Sequence, residues 1–208
     1  MVDILAFGVH PDDVELGCSG TLLKMKDMGY TFGIVDLTRG ELGSRGTAES
    51  RKSEAENAAR ILGAAFRVNL GMADGFFEIN KENILAIACQ IRKFKPRVVL
   101  ANAIHDRHPD HSRAAKLVSD ACFYSGLLKI DLQDELGNSL AVHRPQSVYH
   151  YLQDRNLKAD FLVDITPYMD KKIESILAFE TQFNASESDA IQTPISSKLF
   201  FEFLYAKA

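Results

Sequence analysis

The sequence has little cysteine and no long hydrophobic run. Its three cysteines, Cys18, Cys89 and Cys122, show no short pairing pattern, so we expect reduced thiols in a cytoplasmic protein and not a disulfide framework. The apolar run Ile4–Val9 is far shorter than the roughly 20 residues needed to cross a bilayer. Asp3 stands where a signal peptide would carry basic residues. The sequence therefore predicts neither a membrane segment nor a secretion signal.

An excess of positive charge is also missing. Lysine and arginine number 24 against 28 aspartates and glutamates, which gives a net charge of −4 without a basic stripe. We therefore expect no nucleic-acid partner. With 46% hydrophobic and 25% charged residues, the composition is that of a globular protein and excludes disordered, collagen-like and coiled-coil chains. A chain of 208 residues buries roughly 70% of its surface on folding, so we expect one domain over residues 1–208.

Short apolar runs alternate with longer segments of helical character. Strands are predicted at residues 4–9, 32–37, 66–70, 98–101, 147–152 and 161–165. Helices are predicted at residues 13–28, 48–62, 82–94, 112–124, 167–183 and 197–205. The polar stretch 126–145 is interpreted as an irregular insertion and 184–194 as a loop. This alternation predicts a mostly parallel sheet with helices on both faces, a Rossmann-like three-layer α/β fold.

Histidines and carboxylates concentrate at the ends of two predicted strands. The first strand leads into His10–Glu15 (HPDDVE), and the fourth leads into His105–His111 (HDRHPDH). In open α/β sheets, ligands bind at the carboxyl ends of the strands, where the winding direction switches. If the strand order is 3-2-1-4-5, the first and fourth strands are neighbours at that point. We then expect the two clusters to face each other across one crevice.

Imidazole and carboxylate groups at this spacing suit a catalytic zinc site, in which two histidines, one aspartate and an open water position surround the ion. Zinc lowers the pKa of its water toward about 7, an unliganded carboxylate can act as base, and a further histidine can stabilise charge or protonate a leaving group. The spacing does not say which aspartate is the ligand. Either cluster alone could be a capped helix start, with Asp12 as N-cap and Glu15 in a capping box. The two clusters together favour the metal site.

The sequence resembles a known enzyme family. His10–Thr21 (HPDDVELGCSGT) and the distant His108–His111 (HPDH) carry the resemblance, and Arg51–Gly63 and Phe179–Phe183 agree with it. The family is the PIG-L/LmbE-like family of zinc-dependent N-acetylglucosamine deacetylases. Within it, the chain is most similar to the bacillithiol-biosynthesis branch, which removes the acetyl group from N-acetylglucosaminyl-malate. The resemblance implies a metal-dependent amidohydrolase that acts on a small N-acetylated amino sugar.

The resemblance also implies roles for individual residues. The Zn²⁺ ligands would be His10, Asp13 and His111, and Asp12 would be the general base on the metal-bound water. His108, oriented by Asp110, would stabilise the tetrahedral oxyanion or protonate the amine.

Two arginines are candidates for binding an anionic substrate. Arg51 matches a position that binds substrate in relatives, and Arg107 directly precedes His108 at the expected crevice. Arginine is the expected partner because its planar fork pairs bidentately with a carboxylate such as those of malate. One position departs from the family: some relatives have a tyrosine as oxyanion donor where this chain has Asp106.

Other functions fit the sequence less well. A different N-acetylglucosaminide, either free N-acetylglucosamine or a chitooligosaccharide, is the alternative substrate. A receiver-like phosphoacceptor domain could use Asp74, but the predicted strand 147–152 is not followed by the lysine that such a domain needs. The glycine-rich stretch 39–46 lacks the phosphate-loop and dinucleotide fingerprints. The aromatic stretch 200–205 is expected in the core or in a subunit contact, which would make a homo-oligomer.

Overall fold

The fold is built on a parallel sheet of five strands. The structure is a computed structural model that describes residues 1–183 and 198–207. The strands are β1 (Ile4–Gly8), β2 (Phe32–Thr38), β3 (Arg67–Met72), β4 (Val98–Ala101) and β5 (Ser147–His150). Their order in the sheet is β3-β2-β1-β4-β5, and all neighbouring pairs are parallel. This confirms the predicted Rossmann-like α/β fold and the adjacency of the first and fourth strands.

Helices connect the strands. They are α1 (Asp13–Gly17), α2 (Ser19–Asp27), α3 (Ala48–Leu62), α4 (Lys81–Phe94), α5 (Pro109–Tyr124), α6 (Met169–Leu177), α7 (Glu180–Phe183) and α8 (Lys198–Lys207). Helix α3 has the bounds predicted for it, because both of its ends carry local signals. Thr47 and Ser50 form a capping box at its start, and Gly63 ends it in the left-handed conformation, with φ +69°.

The two faces of the sheet pack against different helices. Along β1, Leu5 and Phe7 join a core cluster with residues of α4 and α5, whereas Ile4 and Ala6 join a second cluster with residues of α1 and α2. Successive side chains of a strand point to opposite faces, so a central strand covered on both sides is predominantly apolar at successive positions. The unbroken apolar run at the start of the chain reflects this double burial.

The segment 161–165 was expected to be a strand, and that expectation is wrong. The structure has no strand there, and the side chains of Phe161 and Leu162 are 58% and 88% exposed. The segment does not pair with the edge strand β5, although the Phe161 ring contacts that of Tyr149 with centroids 5.2 Å apart, and its other end is attached to α2. Ile165 packs so closely on Gly20 that a Cβ at Gly20 would lie 2.6 Å from Ile165 Cδ1, and Lys24 Nζ donates to the Asp164 carbonyl at 3.0 Å. An apolar segment can pair as a strand in a sheet or pack against a helix, and apolar composition alone did not distinguish these two possibilities.

Two predicted helices are interrupted. The helix expected at 13–28 is divided into α1 and α2 at Cys18, whose φ of −140° is not helical. The helix expected at 167–183 is a 3₁₀ turn at Thr166–Tyr168 followed by α6 and α7. The loop expected at 184–194 lies outside the described residues, and the last predicted helix is present as α8.

The insertion 126–145 is irregular, as predicted, and is held by one buried arginine. Arg92 of α4 donates to the carbonyls of Ser125, Leu127 and Ile130 at 2.7–2.8 Å and to that of Leu140 at 3.4 Å. In the part of the chain that the structure describes, these carbonyls have no hydrogen bonds within a strand or helix. The guanidinium group donates hydrogen bonds to them and so stabilises a region that lacks regular secondary structure. Within the described residues, no helix combines the length and the apolar character that a membrane crossing would need.

Candidate metal centre and active site

The two polar clusters meet at the carboxyl ends of β1 and β4. These strands pair in parallel, with Ala6 opposite Leu100, so the loops that follow them emerge side by side. The ring centroids of His10 and His108 are 4.8 Å apart, and those of His108 and His111 are 5.0 Å apart. All three rings line a cavity of about 1100 Å³. The predicted crevice is therefore present.

Among the described residues, two sets of three at this edge of the sheet have donor atoms close enough to hold one metal ion. The first is His10, Asp13 and His111, and the second is His10, His108 and Asp110; in each set the donor atoms lie within 4.8 Å of one another. In the first set, Asp13 Oδ1 lies 3.2 Å from His111 Nε2, and Asp13 Oδ2 lies 3.8 Å from His10 Nδ1. Two imidazoles and a carboxylate are a donor set suited to a divalent transition metal.

The hydrogen bonds of the two imidazoles favour the first set. His10 Nε2 lies 2.9 Å from Asp74 Oδ1, and His111 Nδ1 lies 2.8 Å from Asp106 Oδ2. A carboxylate accepts a hydrogen bond from the ring N–H that it contacts, so the other nitrogen of each ring is the one that can offer a lone pair to a metal. The nitrogens left to bind a metal are then His10 Nδ1 and His111 Nε2, the two atoms that face Asp13. Burial lowers the pKa of His111, but Asp13 and Asp106 outweigh burial and raise it to about 9, so a metal would take the place of the proton on Nε2. The second set would need the His10 nitrogen that Asp74 already engages.

Asp13 is held in one orientation by four donors. Its Oδ2 accepts from the main-chain N–H groups of Val9 and His10 at 2.9 and 3.0 Å and from Asn102 Nδ2 at 2.9 Å. Its Oδ1 accepts from Gln153 Nε2 at 3.0 Å. Burial raises the pKa of Asp13, but the neighbouring histidines and these hydrogen bonds outweigh burial and hold the pKa well below its usual range. The side chain is an ionised carboxylate, the form that binds cations.

Asp12 lies next to Asp13 but has a different environment. Its backbone is in an unusual left-handed conformation, with φ 129°, which turns its carboxylate toward Arg51 Nη2 at a distance of 3.0 Å. Burial raises the pKa of Asp12 to about 6 although the Arg51 charge opposes the shift. The two adjacent aspartates are thus separated in acidity, a pattern typical of sites in which neighbouring carboxyl groups have different roles.

His108 is the half-buried N-cap residue of α5. Burial and the neighbouring His10 and His111 lower its pKa, so the ring is neutral at pH 7. Its Nδ1 accepts from the main-chain N–H of Asp110 at 3.3 Å. The Asp110 carboxylate accepts instead from Gly75 N at 2.9 Å and from Arg113 Nη1 at 2.7 Å. Among the described hydrogen bonds, Asp110 therefore reaches His108 through its backbone and not through the carboxylate that the resemblance suggested.

The two arginines differ in burial. Arg51 is buried, donates to the Pro11 carbonyl and to Asp12, and has an Nε atom without a partner among the described residues. The Arg107 side chain is 62% exposed and is paired with Asp154. Both line the cavity. Arg51 is thus first of all the partner of Asp12, whereas Arg107 lies at the solvent side.

Asp106 occupies the position where some relatives have a tyrosine. Its carboxylate contacts His111 and also accepts from the main-chain N–H groups of Arg107, Asp154 and Arg155 at 2.6, 3.4 and 3.2 Å. In this chain the position supports a histidine and fixes the loop that follows β5.

The sequence reasoning did not identify the supporting residues of the site. These are the partners of the two imidazoles and of the Asp13 carboxylate, namely Asp74, Asp106, Asn102 and Gln153. Asp74 follows β3, Asn102 and Asp106 follow β4, and Gln153 follows β5. All four residues follow predicted strands, and this position could have identified them as site residues, because the carboxyl ends of parallel strands share one edge of the sheet.

Comparison with known proteins gives consistent relatives. The family model PIG-L, described as GlcNAc-PI de-N-acetylase, matches residues 5–122. A diacetylchitobiose deacetylase from Thermococcus kodakarensis is 30% identical over 86% of this chain and 70% of its own. Among solved structures, the conserved protein TT1542 from Thermus thermophilus is 42% identical with a TM-score of 0.81, covering 88% of this chain and 80% of that one. The N,N'-diacetylchitobiose deacetylase from Pyrococcus horikoshii is 26% identical with a TM-score of 0.82, covering 99% of this chain and 76% of that one.

Proposed function

Since the chain belongs to the PIG-L family, it is a hydrolytic N-deacetylase of N-acetylglucosamine-containing substrates, and we propose that its metal is zinc and its substrate N-acetylglucosaminyl-malate. The observation that supports a metal-dependent reaction is that the adjacent residues Asp13 and Asp12 are suited to two different functions, metal binding and proton transfer. Asp13 is an ionised carboxylate facing His10 Nδ1 and His111 Nε2, and Asp12 is a carboxyl group whose pKa is raised to about 6.

The residues fit a zinc ion. His10, Asp13 and His111 would hold it, since nitrogen and carboxylate oxygen donors with two supported imidazoles are typical of catalytic zinc. When bound, zinc acts as a Lewis acid that polarises the acetyl carbonyl and lowers the pKa of a water molecule.

Asp12 would act as the general base. As the water oxygen bonds to the carbonyl carbon, the Asp12 carboxylate accepts a proton from that water, and Arg51 stabilises the carboxylate in the required orientation. As the C–N bond breaks, the nitrogen would take up the proton that Asp12 accepted, which returns Asp12 to the carboxylate form, and acetate and the free amine leave. A pKa near 6 suits this role, because the group is largely ionised at pH 7 yet basic enough to accept a proton.

His108 would donate a hydrogen bond to the developing oxyanion. Its Nδ1 accepts the Asp110 N–H, so the neutral ring carries its proton on Nε2. A neutral imidazole with a proton on the free nitrogen is a hydrogen-bond donor. Of the two roles that the family resemblance suggested, this favours stabilisation of the oxyanion over protonation of the amine. Removal of one oxyanion donor typically lowers kcat by about 10²–10³-fold.

The malate conjugate is supported by Arg51 and Arg107, because both guanidinium groups line the cavity and each can pair with a carboxylate. Diacetylchitobiose is a second candidate, supported by two specific observations. Two of the relatives are diacetylchitobiose deacetylases. Each of the two arginines also already has a carboxylate partner, Asp12 or Asp154, which offsets the positive charge offered to a substrate.

Acetate release by the purified protein tests the proposal. The substrates are N-acetylglucosaminyl-malate, diacetylchitobiose and free N-acetylglucosamine, each with metal-free protein and with one equivalent of zinc. We expect zinc-dependent acetate release, with the highest kcat/KM for the malate conjugate. A higher kcat/KM for diacetylchitobiose would replace the malate conjugate as substrate and leave the deacetylase mechanism intact. Full activity in the metal-free protein would overturn the role of the metal.

A further inference from the structure

The glycine-rich loop after β2 has no role in the reaction proposed above. This loop, Arg39–Gly46, contributes Gly40, Leu42 and Gly43 to the cavity wall. Gly40 has φ +67°, and a Cβ there would lie 3.0 Å from the Arg51 guanidinium group. A glycine therefore allows the loop to lie against the arginine that holds Asp12.

Asp74 joins this loop to a histidine of the metal centre. Its Oδ1 lies 2.9 Å from His10 Nε2, and its Oδ2 accepts from the main-chain N–H of Leu42 at 2.9 Å. The main-chain N–H of Asp74 donates in turn to Glu41 Oε1 at 3.1 Å. Asp74 is only 6% exposed, so solvent has little access to replace these bonds. One buried carboxylate is thus shared between the loop and His10.

The hydrogen bonds that Asp74 accepts from His10 and from Leu42 require an ionised carboxylate. A carboxylate offers an acceptor oxygen to each donor, whereas an amide of the same shape offers one acceptor and one donor group. The bond to Oδ1 places the His10 proton on Nε2 and leaves Nδ1 for the side that faces Asp13. The bond to Oδ2 holds the Leu42 backbone at the cavity wall.

We propose that Asp74 is a positioning residue that couples metal binding at His10 to the order of the glycine-rich loop. The proposal rests on the metal centre of the proposed function and adds a connection from that centre to the cavity wall. A metal ion held by Nδ1 makes the Nε2–H of the same ring a stronger donor, which fixes Asp74 and, through Oδ2, the loop. Metal binding then orders the wall of the cavity that receives the substrate.

Zinc affinity tests the connection to His10. It is measured on the full chain by competition with a chelator for wild type, Asp74→Asn and Asp74→Ala. We expect Asp74→Ala to bind zinc about 10–100-fold more weakly, as is typical when the partner of a ligating histidine is lost. Asp74→Asn keeps one acceptor oxygen for His10 and should recover most of the affinity. The control is Asp134→Ala, which removes a carboxylate that likewise accepts main-chain N–H groups but lies outside the cavity lining.

Hydrogen–deuterium exchange of peptides that cover the loop tests the coupling. In wild type and in Asp134→Ala, zinc should slow exchange of the loop amides. In Asp74→Asn, zinc should accelerate exchange, because the single remaining acceptor turns to His10 and the Leu42 N–H loses its partner. In Asp74→Ala, exchange should be fast with or without zinc, provided that circular dichroism shows an intact fold.

The outcomes separate this proposal from the proposed function. Wild-type protein that binds no zinc would overturn the metal centre and with it the coupling. Wild type that binds zinc and releases acetate, together with Asp74→Ala of unchanged zinc affinity, would overturn only the connection to His10. Loop exchange in wild type that is indifferent to zinc would overturn the coupling while leaving Asp74 as a partner of His10.

Discussion

Arg51 Nη2 lies 3.0 Å from Asp12 Oδ2, and both side chains are buried at the edge of the cavity. The pair joins the start of the chain to α3 and places a fixed positive charge beside the proposed base. Because Arg51 is already paired with Asp12, it is not freely available to bind a substrate. Replacement of Arg51 would leave the buried Asp12 carboxyl group without its partner.

Replacement of the two arginines should therefore have different consequences. Arg107→Ala should lower kcat/KM for N-acetylglucosaminyl-malate about ten- to two-hundred-fold and that for diacetylchitobiose little, since a charge-assisted hydrogen bond contributes roughly 1.5–3 kcal/mol. Arg51→Ala should lower kcat/KM for both substrates, because it removes the partner of Asp12. Steady-state acetate release on both substrates measures this. Equal effects of Arg107→Ala on the two would exclude Arg107 as the anion anchor.

Asp12→Asn should separate catalysis from metal binding. The amide keeps the shape of the side chain but has no basic oxygen, so kcat should fall by at least about 10²-fold. Zinc content should stay near one equivalent, because the proposed ligands are unchanged. Asp13→Asn is the matched comparison and should lose zinc as well as activity. Near-normal turnover in Asp12→Asn would assign the base to another group that lines the cavity.

His111→Ala should lose both zinc and activity while the protein remains folded. The ring lies at the end of the sheet, and the two core clusters of the sheet do not include it. The control His105→Ala removes a histidine that pairs with Arg155 and is not part of the cavity lining. Elemental analysis and circular dichroism are the measurements. Full zinc occupancy in His111→Ala would contradict the ligand assignment.

Arg92→Ala should destabilise the fold without affecting the chemistry. The substitution removes the hydrogen bonds that tie the carbonyls of Ser125, Leu127 and Ile130 to α4. The Ser125 and Leu127 carbonyls keep main-chain donors, but the Ile130 carbonyl loses its donor among the described bonds, and an unsatisfied group of this kind costs roughly 1–3 kcal/mol. Arg144→Ala is a suitable control, since this side chain donates to one carbonyl, that of Phe123, in an exposed setting. Urea denaturation should show a clear loss of unfolding free energy for Arg92→Ala and a change below about 1 kcal/mol for the control.

The buried thiols of Cys18 and Cys122 should be inert in the native protein. Burial raises the pKa of Cys122 to about 12 and raises that of Cys18 still further. The reactive form is the thiolate, so at pH 8 a pKa of about 12 leaves roughly one molecule in 10⁴ reactive. A thiol reagent should therefore leave both residues unmodified until the protein is unfolded, when all three free cysteines react. Rapid modification of native Cys122 would show that its surroundings are more open than in the structure.

The sequence alone was sufficient to predict the five strands of the sheet, together with a sixth at 161–165 that the structure does not have, and the edge at which the two polar clusters meet. A strand buried on both faces is predominantly apolar, and β1 and β4 are apolar throughout, whereas β2 also carries the buried polar residues Asp36 and Thr38. The order of parallel strands then places the residues that follow β1 and β4 at one edge. The helix α3 was predictable to the residue because its capping box and terminal glycine act within one turn of chain.

Tertiary structure decided which groups surround each ionisable side chain. His10 and Asp74 are 64 residues apart in sequence, yet their contact determines which nitrogen of the ring faces Asp13. In the same way, Arg51 lies 39 residues from Asp12 and fixes the side chain proposed as the base. Hydrogen bonds and charges act over a few ångströms of space, whereas motif spacing reports only distance along the chain. Residue types therefore predicted the chemistry, and packing of distant segments assigned the role of each atom.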